Sequence, residues 1–449
     1  MAAIAHDPST PTQTHHEVTR DVVNTLGTAE RGYYLLTGGA VALFLVGLVT
    51  FVLLLKDGLG LAGYNPPAFW SVYITTFVFW VGIGHAGTLI SAILFLFRSP
   101  WRTAVYRATE AMTVFAVMTA ALFPIIHIGR QWFFYWLLPY PNQRWLWPNF
   151  KSPLVWDVFA ISTYFTVSAT FLVVGLVPDI AAARDIVTGW RQKVYAAFAL
   201  GWKGTDNQWR HYSRAYLYLA ALATPLVLSV HSVVSWDFAM SIVPGWHGTI
   251  FAPYFVAGAI YSGVGMVLTL MIPLRKTLKL EHMITEYHFD NLAKLTLLTG
   301  TILFYAYGME YFIGWYSGNT FEQTTFFRRL FGPLWWGGWT MVICNAFVSQ
   351  LFWFKKIRTN LTALFVISIF INIGMWFERW VIISSSLAND FLPYAWGTMN
   401  PTWADWGILA GSFGWFGMWF LLFARSFPVV AIQEIKEMIP MPRLRKGGH

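Results

Sequence analysis

Cysteine is almost absent from this sequence, which has only Cys344 among its 449 residues. A single cysteine cannot form a disulfide within the chain, and it cannot hold an iron–sulfur cluster, which takes about four thiolates. Any such cluster would have to lie on a partner protein. Cys344 falls inside an apolar run, where we expect it to pack as a small hydrophobic residue.

Charge is also scarce, since 11% of the residues are charged while 56% are hydrophobic and 18% are aromatic. Soluble domains carry roughly 25% charged residues, so the composition predicts an all-α integral membrane protein. Apolar runs of about 20 residues cross the bilayer as helices, and little chain is left over for a soluble domain. The ten predicted spans are 34–55, 69–97, 104–127, 154–177, 214–236, 249–273, 293–314, 333–354, 361–384 and 405–426.

The basic residues are divided unevenly between the two sides that ten spans define. If both termini lie in the cytoplasm, most of the 30 lysines and arginines are cytoplasmic, as the positive-inside rule requires. The net charge of +9 is therefore a sign of topology and not of nucleic-acid binding. The basic residues assigned to the outer side are Lys56, Arg130, Arg144, Lys151, Arg328, Arg329 and Arg379.

Spans two to five resemble spans six to nine. The stretch HIGRQWFFYW at 127–136 aligns with AYGMEYFIGW at 306–315, and SPLVWD at 152–157 aligns with GPLWWG at 332–337. Each copy has an even number of spans, so both copies run the same way through the membrane, which is a parallel repeat. The repeat predicts two four-helix bundles with spans one and ten outside them. Titratable residues are concentrated in the first bundle.

The predicted organisation has five parts. Both tails are assigned to the cytoplasm, and each bundle forms one unit. The parts are a polar tail at 1–30, the first span and an outer loop at 31–68, the first bundle at 69–248, the second bundle at 249–384, and an outer loop, the last span and a basic tail at 385–449.

Several polar residues fall near the outer ends of the first-bundle spans. His127 ends span three, Asp157 opens span four, and His231 and Asp237 lie late in span five. An interfacial polar residue often snorkels or caps a helix, but an ionisable residue within a span is a functional candidate. Because these groups are expected to surround one bundle at similar depth, the sequence favours a functional site. Arg130 lies three residues after His127, on the same helical face.

Other polar residues are assigned to different depths. His85 is predicted in the inner half of span two as a proton-transfer candidate, and Tyr164 can supply a hydroxyl deeper than Asp157, seven residues before it. Arg107 and Glu110 have the spacing of an ion pair on one helix face. In the second bundle, the candidates for structure or proton transfer are Glu310, Glu378 and Arg379.

These features together resemble the NrfD/polysulfide reductase membrane-subunit family. The motifs that carry the resemblance are HxxR at 127–130, WD at 156–157, the late Asp237 and WFER at 376–379. Within the family the sequence is most similar to the ten-span quinol-oxidising subunit of bacterial alternative complex III. The resemblance covers about residues 30–430. It implies a multi-pass protein of the bacterial inner membrane.

The resemblance also implies a function. The first bundle would bind quinol or menaquinol near the outer surface, with His127 and Asp157 as catalytic residues. The face near 128–153 and 237–250 would dock an iron–sulfur subunit. Electrons would continue to c-type haems on further subunits beside a ten-span paralogue, and this chain would hold no haem or metal. The implied quinol-binding residues are His127, Arg130, Asp157, Tyr164, His231 and Asp237.

Two other classes compete with this interpretation. In a cytochrome b-type anchor, His127 and His231 would be axial ligands of one haem. A proton-coupled transporter or a silent anchor would contain a similar repeat, but it would be expected to have glycine- or proline-interrupted helices at mid-membrane. The sequence contains no convincing pair of such interruptions.

Overall fold

The computed structural model describes residues 13–27, 31–140, 144 and 148–439. Parts of both predicted tails, at 1–12, 28–30 and 440–449, lie outside the described residues. So do positions 141–143 and 145–147 of the predicted docking loop.

Within the described residues, nine helices are long and apolar enough to cross a membrane. They match nine of the ten predicted spans, and several extend well past the apolar run that predicted them. The chain is therefore a multi-pass helical membrane protein. The nine helices are α1 (Arg31–Asp57), α2 (Val72–Leu96), α3 (Tyr106–His127), α4 (Pro153–Arg184), α5 (Asp206–Ala239), α6 (Phe251–Thr277), α7 (Glu286–Tyr316), α8 (Leu361–Ser385) and α9 (Trp403–Ser426).

The predicted span 333–354 is helical but irregular. An α-helical segment, Trp335–Val342, runs into a π-helical turn, Ile343–Phe347, and then a 3₁₀ segment, Val348–Trp353. The π turn disturbs the regular ladder of backbone hydrogen bonds. The Asn345 carbonyl in this turn accepts hydrogen bonds from the side chains of Tyr261 (3.2 Å) and Ser349 (2.8 Å). The ten-span count stays a prediction because this segment is not one continuous helix.

The helices pack in two groups around a continuous apolar core. In the first group α2 contacts α3, α3 contacts α4, α4 contacts α5, and α5 returns to α2. In the second group α6 contacts α7 and α8, and the irregular segment 335–353 contacts α7 and α8. Helices α2 and α5 both pack on α6 and join the groups, while α1 and α9 pack tightly together beside α3.

The two ends of the molecule differ in what covers them. One end, here named the His127 face, holds the last residue of α3, the first turn of α4 and the end of α5. The opposite end, the tail face, holds the short helices His15–Thr25 and Ile432–Met438, which contact each other. The Arg425 guanidinium donates to the Thr25 carbonyl there. The described terminal segments therefore lie on the same face.

A fully buried ion cluster lies under the tail face. The Arg107 guanidinium donates to Glu110 at 2.8 Å, as its helical spacing predicted, and also to Asp179 at 3.1 Å. All three side chains are at most 3% exposed. Gly175 makes room for the guanidinium, because a Cβ there would lie 2.2 Å from Arg107 Nη1. Mutual pairing is what makes three buried charges tolerable.

Candidate functional site

A cavity of about 330 Å³ opens at the His127 face among the ends of α3, α4 and α5. It brings together three of the predicted site residues: His127, Asp157 and Asp237. Most of the remaining lining is apolar or aromatic. The other lining residues are Trp70, Ile74, Phe77, Ala121, Pro124, Ile125, Ile128, Phe134, Leu137, Leu138, Leu154, Val158, Ile161 and Ser162.

The cavity opens sideways between α3 and α4. Three of its lining residues, Ala121, Leu154 and Ser162, are exposed on the outer surface of the helix pair. Leu154 is 44% exposed. In a membrane these positions would face lipid, so a hydrophobic ligand can reach the cavity directly from the bilayer.

A short aromatic helix covers the cavity at the His127 face. The 3₁₀ helix Gln131–Leu137 follows α3, and its Phe134 and Leu137 side chains line the cavity. Trp132 and Trp136 on the same helix are exposed. The run that suggested an interfacial belt therefore also supplies part of the cavity wall. Arg130 immediately precedes this helix; its side chain is exposed and does not line the cavity.

His127 is bonded to a residue that the sequence did not indicate. Its Nδ1 lies 2.9 Å from the Tyr64 hydroxyl, and the two rings meet edge to face. Tyr64 lies on the loop between α1 and α2, far from His127 along the chain. No spacing rule links the two positions, so only the folded loop reveals the contact. Nε2 is the nitrogen that His127 has left for a ligand.

Asp157 and Asp237 lie against one another across the α4–α5 contact, within hydrogen-bonding range. Asp157 is 5% exposed, and one carboxyl oxygen of each residue is buried with no hydrogen-bond partner among the described residues. Two buried carboxylates in contact repel each other unless they share a proton. The pair therefore forms one proton-binding unit that titrates in coupled steps.

Two predicted ligand-binding residues, Tyr164 and His231, lie elsewhere. Both pack against His85 inside the first helix group, with ring centroids 5.1 Å and 4.5 Å from the imidazole. The Tyr164 hydroxyl donates to the Gly84 carbonyl at 2.8 Å. His231 and Asp237 are six residues apart, which turns their side chains about 120° from each other on a helix. Hence only Asp237 reaches the cavity.

The predicted residues of the second helix group form a separate buried network. Glu378 pairs with Arg379 at 2.7 Å, and the Tyr307 hydroxyl donates to Glu378. The Arg379 guanidinium lies 4.4 Å from the Phe255 ring centroid, and that ring packs against His231. The network therefore touches the His85 cluster across the junction of the two groups.

Glu310 lines a second cavity, of about 580 Å³, at the His127 face of the second helix group. The residue is 8% exposed, and its Oε1 has no hydrogen-bond partner among the described residues. His247 and Glu322 line the same cavity. The repeat thus has a polar cavity in each half, but only the first has both a histidine and an aspartate pair.

The described residues include no group of three histidine, cysteine or acidic side chains placed to hold a metal ion. His127 and His231, the ligands considered for a haem, do not face a common cavity, and His231 is instead in ring contact with His85. This arrangement does not suit a haem between His127 and His231.

Comparison with known proteins agrees with the sequence motifs. Residues 60–389 match the family model described as "Polysulphide reductase, NrfD". A Halobacterium salinarum protein, named as a "Putative dimethyl sulfoxide reductase membrane subunit", is 28% identical over 255 residues. That match covers 56% of this chain and 54% of the relative, so it spans about half the length of each. Since the family model covers most of the chain, including both cavities, the protein belongs to the NrfD/polysulfide reductase family.

Proposed function

We propose that this protein is the membrane subunit of a quinol-oxidising electron-transfer complex of the alternative complex III type. The observation that carries the proposal is the cavity that opens sideways between α3 and α4 and has His127, Asp157 and Asp237 in its lining. A quinol reaches its enzyme through lipid, and it needs an apolar slot for its ring beside groups that accept protons.

The reaction releases two protons and two electrons from each quinol. His127 accepts the first proton from a quinol hydroxyl, since an imidazole is the side chain best suited to this near neutral pH. The Asp157–Asp237 pair receives the second proton and passes it to water. The aromatic and aliphatic wall holds the ring, and the tail leaves through the side opening. Arg130 helps to balance charge at the rim.

The two electrons leave through a partner protein. An iron–sulfur subunit, docked on the His127 face near 128–153 and 237–250, accepts them and passes them to c-type haems on further subunits. The chain's single cysteine supports this division of labour, as does the position of the cavity beside that face. The relative's name describes a membrane subunit of a reductase, and we infer a subunit role here too.

The proposal includes the topology. Ten segments span a bacterial inner membrane, with both termini in the cytoplasm and the His127 face outside. Residues 69–248 and 249–384 form the two bundles of a parallel repeat, flanked by 31–68 and 385–449. The packing of the two helix groups and the shared position of the described terminal helices support this arrangement.

The remaining polar residues serve proton transfer or structure and do not bind quinol. His85 with His231 and Tyr164, and Glu378 with Arg379, form neighbouring buried clusters. Glu310 joins the second cluster to a cavity at the His127 face. Protons that move between the two faces during turnover have polar groups at each of these depths.

The test is quinol oxidation by the intact complex that carries His127→Ala or Asp157→Asn. Each variant should assemble, because neither opens a large core cavity, and should lose about 10²–10⁴-fold in rate. His282→Ala and Asp390→Asn are the matched controls, since both residues lie away from the cavity. Near wild-type rates for both site variants would place the reaction elsewhere.

A further inference from the structure

The loop between α1 and α2 brings one tyrosine to the candidate catalytic histidine. The Tyr64 hydroxyl lies 2.9 Å from His127 Nδ1, and the ring centroids are 5.5 Å apart. Tyr64 is not in the cavity lining, so it contacts His127 from the side that a ligand does not occupy. The inference below rests on the proposed function of His127.

The last membrane helix holds this loop in place. The Gly63 N–H donates to the Asp405 carboxylate at 2.8 Å, and the Thr402 hydroxyl donates to the Leu61 carbonyl at 2.6 Å. Asp405 is fully buried. A Cβ on Gly63 would lie 2.1 Å from the Asn400 carbonyl oxygen, so only glycine permits the loop to approach so closely. Tyr64 is thus fixed from both sides of its backbone.

We propose that Tyr64 is the positioning residue that sets the tautomer of His127. Its hydroxyl oxygen accepts a hydrogen bond from Nδ1–H, so the lone pair of Nε2 faces the cavity and can take the proton of a quinol hydroxyl. Tyr64 itself does not touch the substrate and acts only through His127.

The physical basis is that a tyrosine hydroxyl accepts as well as donates. Once Nε2 is protonated, the bond from Nδ1–H to Tyr64 becomes charge-assisted, and such bonds are about twice as strong as neutral ones. Burial raises the pKa of Tyr64, with Tyr73 and Asp405 adding to the effect. Tyr64 therefore keeps its own proton and remains a neutral acceptor throughout turnover.

Other titratable groups also surround His127 and must be held constant in a test. Asp157 and Asp237 share its cavity, while Asp405 and Tyr73 lie behind Tyr64. Replacing Tyr64 with phenylalanine keeps the ring and leaves these four groups unchanged. The matched control is Tyr73→Phe, because the buried Tyr73 hydroxyl has no hydrogen-bond partner among the described residues.

The experiment measures quinol oxidation by the intact complex across pH. For Tyr64→Phe we expect kcat to fall about tenfold with KM within about twofold, because the base is present but populates the wrong tautomer more often. The acidic limb of kcat/KM should move by about half to one unit towards lower pH, since the imidazolium has lost its stronger bond. Tyr73→Phe should match the wild type.

A double variant separates positioning from general support of the fold. If Tyr64 acts through His127, adding Tyr64→Phe to His127→Ala should cause no further loss of rate. An additional loss, or an acidic limb that stays in place or moves to higher pH, would overturn the inference. If His127→Ala itself retains the wild-type rate, the proposed site fails. If only Tyr64→Phe is silent, the positioning role fails and the site stands.

Discussion

Asp157 on α4 and Asp237 on α5 lie against each other at the wall of the cavity that contains His127. Since such a pair handles a proton as a unit, the two residues should not contribute independently. Asp157→Asn and Asp237→Asn should each lower quinol oxidation by about 10–100-fold, and the double variant should lose little more. Steady-state rates of the four proteins form the test, and additive losses would show two independent roles.

The side opening gives a second prediction. Ser162→Trp places a large ring at the exposed edge of the cavity between α3 and α4. It should raise KM about tenfold or more for a long-tailed quinol, and much less for a short-chain analogue, because the obstacle lies on the path of the tail. The control is Thr163→Trp, since Thr163 is exposed nearby but lines no part of the cavity. Equal KM changes for both quinols would contradict entry through this opening.

The buried ion cluster under the tail face is expected to stabilise the fold and not to act in catalysis. Arg107→Ala leaves Glu110 and Asp179 buried without their cation, which should lower the free energy of unfolding by about 3–5 kcal/mol. Arg20→Ala, in an exposed pair with Asp21, should change it by no more than about 1 kcal/mol. Thermal unfolding of both variants in detergent measures the difference, and equal melting temperatures would contradict it.

The Glu378–Arg379 pair is predicted to serve structure or proton transfer without binding quinol. Glu378→Gln keeps the shape of the side chain and its bond with Tyr307 but removes the charge that pairs with Arg379. The variant complex should assemble and show a KM for quinol within about twofold of the wild type. A normal complex with greatly weakened quinol affinity would move the binding site into the second helix group.

The sequence predicted the membrane helices well because long apolar runs report directly on burial in lipid. It missed the break at 343–347, since a π-helical turn depends on the hydrogen bonds that Asn345 makes with other helices. The helix ends near His127, Asp157 and Asp237 were predictable because consecutive spans return to the same side. Their functional roles stay predictions.

The remaining differences at the site arise from rotation about helix axes and from loops. Depth along the chain placed His231 with Asp237, yet the helix turns His231 towards His85. The contact between Tyr64 and His127 depends on a loop whose path is fixed by Asp405 on the last membrane helix. Neither relationship has a periodic signal in the sequence.

The most direct measurement is a structure of the intact complex with its quinone bound. The account predicts density for the headgroup in the cavity between His127 and Asp157, with the tail leaving between α3 and α4 beside Ser162. Headgroup density in the second helix group, such as in the cavity beside Glu310, with the first cavity empty, would contradict it.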